Sequence, residues 1–322
     1  MSERGPVALI VNPAATRARA IDRAEIARAL DPFGLEWVLE TEAGGHARVL
    51  AERAVAEGAK LVVTLGGDGT AGEVAAVLGG LPVAMAVLPG GNANVYARAI
   101  GWPASVPRAL TVLQAALRGG WRGATTLGRI AAGGEERAFL INAGVGIDAA
   151  TVEWVEARPA VKRRMRRVGF ALAAVVAAGK ATRAPRLTVS EDGGPGVQAI
   201  TALVACGSPY TYLGPWALDL VPGAGADGHL AWIALTRVRP VEFGALMTKA
   251  LWGGTPDTGR PPLLGGPLDG ELLVTAPRAV PVQADGEPLG HHREVRVRPG
   301  ATLTVVDPRG GAALKSEPVR PT

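Results

Sequence analysis

The sequence predicts two folds in one chain: an α/β domain with a parallel sheet over residues 1–123, then an antiparallel β-sandwich or split barrel over residues 124–307, with a tail at 308–322. Three observations predict this. Short apolar runs at Val7–Val11, Leu61–Leu65 and Val83–Leu88 alternate with segments of helical spacing, the pattern of a parallel sheet covered on both faces. Beyond a helix at about 106–118, the segments become short, β-rich and separated by glycine, proline or acidic turns. The chain is 48% hydrophobic and 20% charged, which excludes disorder and supports packed cores.

Taken in order, the first strand ends in Asn12-Pro13-Ala14-Ala15-Thr16, and apolar spacing from Ile21 to Leu30 predicts a helix. Trp37–Thr41 reads as a second strand, and Gly44-Gly45-His46 opens a helix to Ala56. The third strand, Leu61–Leu65, runs into Gly66-Gly67-Asp68-Gly69-Thr70 and a helix over 70–78. The fourth strand, Val83–Leu88, runs into Pro89-Gly90-Gly91-Asn92-Ala93-Asn94, with a helix from about Val95. Ligands of such sheets bind at the carboxyl ends of strands. The turns at 12–16, 41–45, 66–70 and 89–94 all lie there. The later segments predicted as strands are 125–131, 137–142, 186–190, 198–205, 229–235, 271–275, 279–284, 293–298 and 301–306.

The turn at 66–70 is the centre of the functional reading. Gly66, Gly67 and Gly69 allow positive φ and close approach of a ligand to the main chain. A glycine turn that leads into a helix N-terminus presents free amides and the positive end of the dipole to a phosphate. Asp68 is unusual in that setting, because a carboxylate beside a phosphate repels it unless it handles a metal ion, its water or a hydroxyl proton. That combination points to phosphoryl transfer. Thr70 and Glu73 also fit a capping box, which gives both a purely structural alternative.

The single cysteine, Cys206, excludes an internal disulfide and lies among apolar residues, as a core thiol does. The N-terminus carries no signal-peptide pattern and no apolar run reaches the roughly 18 residues of a membrane span, so the expectation is a cytoplasmic protein. A net charge of +5 suits an anionic partner. Aromatic residues are too few and too separate from the basic ones for a base-stacking nucleic-acid module. Val161–Gly179 is predicted as a helix with a basic start and an apolar continuation. It is either a packed helix with a solvated basic end or a contact with an anionic membrane surface, peripheral to the inner face.

In this order the landmarks resemble the catalytic region of the diacylglycerol kinase and sphingosine kinase superfamily, bacterial lipid kinases included. The matching pieces are Asn12-Pro13, the Gly66–Thr70 turn, Pro89–Asn94 with Ala97-Arg98, Asn142-Ala143-Gly144-Val145-Gly146-Ile147-Asp148, Pro222-Gly223-Ala224 with Asp227-Gly228, and Asp285-Gly286-Glu287-Pro288. The resemblance implies an NAD kinase-like or lipid kinase-like fold and an ATP-dependent kinase acting on a lipid hydroxyl, with nucleotide held between the two domains. It implies that Gly66, Gly67, Asp68, Gly69 and Thr70 hold the phosphates, with Asn12, Thr41, Glu73, Gly91, Asn92 and Asn94 around the nucleotide. By the same resemblance Glu287 is the general base, with Asp285 beside it, and Asp68 organises magnesium. Asp227, with backbone groups near Ala224 and His229, would hold a second, structural magnesium. Read without the resemblance, Asp285-Gly286 is a hairpin turn and Asp227-Gly228 an ordinary one. Asn142 and Asp148 serve either a turn or a site.

The sequence departs from the pattern in two loops. Ala15-Thr16 replace the usual Ser-Gly after Asn-Pro, and Val95 stands where diacylglycerol kinases carry an acid. The resemblance thus leaves the implied acceptor open among diacylglycerol, a sphingoid base and a related lipid. The rival readings are an NAD kinase-like enzyme and a nucleotide- or lipid-binding protein whose catalysis has decayed. The sequence leaves the oligomeric state open.

Overall fold

A computed structural model describes residues 5–18, 23–157, 186–213, 216–225, 228–237, 239–252, 254 and 256–310. The predicted helix at Val161–Gly179 and Asp227 lie outside the described residues. The chain forms two compact units: residues up to Leu127 with the segment returning from Ala301, and Gly128–Gly300. Residues 124–127 and 301–307, expected in the second domain, thus belong to the first unit.

In the first unit the strands are β1 (Val7–Val11), β2 (Leu35–Glu40), β3 (Leu61–Gly66) and β4 (Ala84–Pro89), in spatial order β2-β1-β3-β4 and parallel throughout. β1, β3 and β4 are buried at every position, which is why their sequences are unbroken apolar runs. β2, at the edge, alternates in exposure. The helices are α1 (Arg23–Leu30), α2 (His46–Ala56), α3 (Asp68–Leu78), the short α4 (Val95–Ala99) and α5 (Val106–Gly119). α5 buries Val106, Ala109, Leu110, Leu113, Ala116 and Leu117, one face of a 3.6-residue period.

The second unit is antiparallel and strand-rich. Its strands are β5 (Arg122–Ala132, shared with the first unit), β6 (Glu135–Phe139), β7 (Asn142–Gly146), β8 (Leu187–Glu191), β9 (Val197–Ala199), β10 (Thr201–Ala205), β11 (Thr211–Leu213), β12 (Trp216–Leu218), β13 (Leu230–Leu235), β14 (Gly259–Arg260), β15 (Leu263–Leu268), β16 (Leu272–Ala284) and β17 (Glu287–Val306). The last residues of β17 return to the first unit, where Val305 pairs in parallel with Met85 of β4. The main order is β14-β15-β13-β10-β7-β16-β17, with β8 and β9 against β16 and β11–β12 a separate hairpin. Both faces of β10 are covered. Ala202 and Val204 pack in one apolar cluster with Phe139, Val145 and Val282, while Leu203 and Ala205 pack in another with Tyr210, Val221 and Ile233.

Several boundaries correct the sequence reading. The segments 271–275 and 279–284 are one strand, β16, whose register shifts between Thr275 and Val280. The expected strand 137–142 breaks at Leu140-Ile141, because those amides turn to the Asp285 carboxylate. Two helices not expected are α6 (Ile147–Glu156) and α7 (Pro240–Leu251). The start of α7 has a signal after all, Pro240 in its first turn with Glu242 close behind.

Candidate active site

In the first unit three loops meet at the carboxyl ends of β1, β3 and β4. Asn12 N–H donates to Leu65 O (2.9 Å), while the N–H groups of Gly90 and Gly91 both donate to Gly66 O (2.9 Å). Arg17 N–H donates to Gly90 O (2.8 Å) and closes the ring of loops. The glycines at 66–67 and 90–91 permit this backbone-to-backbone contact. A Cβ on Gly91 would stand 2.4 Å from Gly67 Cα, and one on Gly90 would stand 3.0 Å from Gly66 N.

Helix α3 starts at Asp68, two residues earlier than expected, with Gly67 as its cap residue and no side-chain cap. The capping-box reading is therefore corrected. Thr70 lies inside the first turn, where its Oγ1 accepts from Asn12 Nδ2 at 3.1 Å. Glu73 caps a different helix: its carboxylate accepts from the amides of Gly45 (2.9 Å), Ala47 (3.0 Å) and Arg48 (3.4 Å) at the start of α2. First-turn amides of a helix have no acceptor within it. Those of Asp68, Gly69 and Thr70 stand at this N-terminus, beside exposed Gly69.

Asp68 is placed differently from what a phosphate cradle alone suggests. Its carboxylate accepts from Tyr96 N–H at 3.1 Å, at the first turn of α4. Burial pushes its pKa above the ordinary carboxylate value, while the amides of Val95, Tyr96 and Asn94 pull it back. Asp68 thus ties the 66–70 turn to the 89–95 turn. Asn94 holds the second turn from inside. It is buried in a left-handed conformation (φ 48°), its Oδ1 accepts Gly91 N–H (2.9 Å), and its Nδ2 donates to Gly91 O (3.0 Å). Val95 is buried and offers no acid. Asn92 is exposed at the tip, and Thr41, buried, donates its amide to Val11 O at 2.9 Å.

In the second unit, Asp285-Gly286 is a two-residue turn between β16 and β17. Both residues have positive φ (50° and 80°), and Ala284 pairs with Glu287 across it. This is the I′ geometry that Asp-Gly favours. The turn is also a built site. The Asp285 carboxylate accepts from Leu140 N–H (2.8 Å), Ile141 N–H (2.8 Å) and Asn142 N–H (3.1 Å), and its own amide donates to Asn142 O (2.8 Å). Glu287 follows directly, with its side chain 48% exposed and paired with the Arg137 guanidinium.

Beneath the turn lies a polar group that sequence reasoning captured in part. Asp148 accepts from Tyr210 O–H at 2.6 Å and from Gln283 Nε2 at 2.9 Å, and burial raises its pKa. Gly144 leaves room for it, since a Cβ there would stand 2.0 Å from Asp148 Oδ2. Asn142, Asp148 and Asp285 were singled out in the sequence; Tyr210, Gln283 and Arg137 were not. Gln283 had a signal, an amide inside a buried apolar run two residues before an acidic turn.

The proposed metal residues Ala224 and His229 are described without Asp227. Ala224 is buried, and His229 Nδ1 contacts Asp269 Oδ1 at 2.6 Å. Among the described residues no cluster of three His, Cys, Asp or Glu side chains could hold a metal ion.

Residues 6–124 match the family model of the diacylglycerol kinase catalytic domain. A diacylglycerol kinase of Mycobacterium tuberculosis is 33% identical over 150 residues, 45% of this chain and 47% of that protein. A probable YegS-like lipid kinase of Pseudomonas putida is 41% identical over 86 residues, 25% of this chain and 29% of its own length. The chain thus spans about half, or less, of the length of these curated relatives. Among solved structures, a putative diacylglycerol kinase from Bacillus anthracis superposes with a TM-score of 0.69 at 19% identity, covering 94% of this chain and 97% of its own. An NAD kinase from Archaeoglobus fulgidus, solved with ATP, superposes at 0.54 and 14% identity over 93% of each chain. The two structures share the fold.

Proposed function

We propose, from the premise that through residues 6–124 the chain belongs to the diacylglycerol kinase catalytic-domain family, that it transfers the γ-phosphoryl group of ATP to a lipid hydroxyl. The observation that carries the proposal is the glycine-lined, uncapped start of α3, whose first-turn amides suit a nucleotide phosphate. In this reading the amides of Asp68, Gly69 and Thr70 bind phosphate, while Asn12, through Thr70, fixes the turn. Glu287 takes the proton of the acceptor hydroxyl as its oxygen bonds to the γ-phosphorus and the bond to ADP breaks. Asp285 holds the turn that presents Glu287. Magnesium bound with the nucleotide would supply neutralisation of phosphate charge, and because it keeps most of its waters it would need few protein ligands. Asp68 is the carboxylate of this turn, but its contact with the start of α4 makes it first an anchor.

The substrate class we assign is a membrane lipid, met at an anionic bilayer surface. Trp252 at the end of α7 is 81% exposed and Trp216 on β12 is 59% exposed, and α7 packs against β12. Tryptophan favours the bilayer interface. The stretch from Arg237 to Arg260 carries four basic residues against two acidic ones, a balance complementary to anionic headgroups. Among the described residues no helix is long and apolar enough to cross a membrane.

The test is transfer of label from γ-labelled ATP with Mg²⁺ to mixed micelles of diacylglycerol, sphingosine, ceramide, monoacylglycerol and phosphatidylglycerol, with NAD in a parallel tube. Label in a lipid is the expected result. Label in NAD alone overturns the proposal in favour of an NAD kinase, and ATP binding without transfer to any acceptor overturns it in favour of a binding protein.

A further inference from the structure

We propose that Gln283 is a positioning residue for Glu287, acting through the Gly286 amide to lock the acidic turn onto the Asn142–Asp148–Tyr210 group. The inference rests on the lipid kinase reading for its effect on catalysis, and on geometry alone for its effect on the turn.

Gln283 is 1% exposed, and each polar atom of its side chain is committed. Oε1 accepts from Gly286 N–H at 2.9 Å, and Nε2 donates to Asn142 Oδ1 (3.0 Å) and Asp148 Oδ2 (2.9 Å). The orientation is not interchangeable. A flipped amide would set its NH₂ against Gly286 N–H and its oxygen against two acceptors. Asn142 cannot flip to accommodate it, because its Nδ2 donates to Tyr210 O at 3.2 Å. Asp148 is fixed in turn by Tyr210 O–H. A buried polar network satisfied at every such point holds one geometry, because any slip strands a polar atom.

The turn is therefore gripped at both residues. Asp285 is held by the amides of 140–142 and Gly286 by Gln283, and Glu287 is the next residue along. The β16–β17 pairing sets the path of the strand that leaves the turn, with Ala284 opposite Glu287, and Gln283 adds a side-chain hold at the Gly286 amide itself. An ill-placed base loses rate even when it remains present, since proton transfer needs hydrogen-bond reach. The nucleotide-phosphate turn is built by a different stretch of chain, so its affinity should be insensitive to Gln283.

The experiment compares wild type with Gln283→Leu, similar in size and unable to hydrogen-bond, and with Gln283→Glu. Two readouts are taken: amide hydrogen exchange at Gly286, and steady-state kinetics with the lipid acceptor that wild type uses. In Gln283→Leu we expect Gly286 to exchange at least about tenfold faster and kcat to fall at least about tenfold, with KM for ATP within about twofold of wild type. Gln283→Glu retains the acceptor for Gly286. The titratable groups around it are Asp148, Tyr210 through Asp148, and Asp285 at the turn. Its second oxygen faces Asn142 Oδ1 and Asp148 Oδ2, so Gly286 exchange and kcat should recover only in part, to values between those of wild type and Gln283→Leu. If Gln283→Leu does not fold, Gln283→Met takes its place with the same expectations. Unchanged Gly286 exchange, unchanged kcat, or a fall in both variants that tracks a rise in KM for ATP overturns the proposal. A wild type that phosphorylates no lipid sinks the kinase reading instead, and Gly286 exchange still judges the grip of Gln283 on the turn.

Discussion

Asp68 and Asp285 invite the same reading from sequence, an acid followed by a glycine in a turn that resembles a kinase motif, and the structure gives them the same task by different means. Each carboxylate accepts backbone amides from a segment far along the chain: Asp68 from Tyr96, Asp285 from Leu140, Ile141 and Asn142. Each therefore anchors one loop to another. The difference lies in what each presents next. After Asp68 come first-turn amides, groups that bind an anion without changing protonation state. After Asp285 comes Glu287, an exposed carboxylate that can accept a proton. In both motifs the acid that draws the eye does the fastening, and the proposed function assigns the chemistry to its neighbours.

The largest expected effect separates fastening from chemistry. Glu287→Gln should lower phosphoryl transfer by about 10²-fold or more, the usual contribution of a positioned base. It should leave the melting temperature within a few degrees, because the side chain is exposed and its ion pair is worth little. A variant that melts early and keeps its activity would place the fastening at Glu287. Asp285→Ala should show the reverse balance. It strands three amides and should destabilise the second unit by about 2–4 kcal/mol, read by denaturant unfolding, because unpaired buried donors carry the desolvation penalty. Stability unchanged in Asp285→Ala would remove one side of the comparison.

How far these roles could be read in advance depended on the distance between partners in the chain. β1, β3 and β4 are legible because burial on both faces forces unbroken apolar runs, and their carboxyl ends place the glycine turns. The start of α3 was misplaced by two residues because Thr70 and Glu73 mimic a capping box, while the Glu73 carboxylate caps α2 instead. Such a partner lies 26 or 28 residues away, beyond what local spacing encodes. In the same way the I′ turn is legible from Asp-Gly alone, whereas the partners that fix Gln283, Asn142 on β7 and Asp148 on α6, lie 141 and 135 residues away.

A smaller effect tests the first turn from within. Asn94→Ala removes the reciprocal bonds to Gly91 and leaves a β-carbon residue at φ 48°, where Asn is tolerated better than Ala. We expect a loss of about 1–3 kcal/mol in stability and weaker ATP binding, measured by denaturant unfolding and calorimetry, with Gly286 exchange unchanged. Slower or faster exchange at Gly286 in this variant would tie the two turns together energetically and spoil the contrast between them.

The smallest effect is a pH slope, and it asks whether Asp68 fastens as proposed. Burial is the largest influence on its carboxyl and raises its pKa above the unfolded-state value. A group with a raised folded pKa favours the native state once protonated, so it adds stability as pH falls through that pKa and withdraws it as pH rises. Asp68→Asn cannot titrate, and its Oδ1 can still accept from Tyr96. The stability of wild type relative to Asp68→Asn should therefore rise as pH drops from 7 toward the ordinary carboxylate range of about 4, read from melting temperatures of both proteins across that window. On the proposed function, ATP affinity should change little in the variant, because the first-turn amides of α3 remain in place. A flat difference across the window, together with loss of ATP binding in Asp68→Asn, would make Asp68 a ligand group rather than a fastener, and would leave Asp285 as the one acid of the pair that holds loops together.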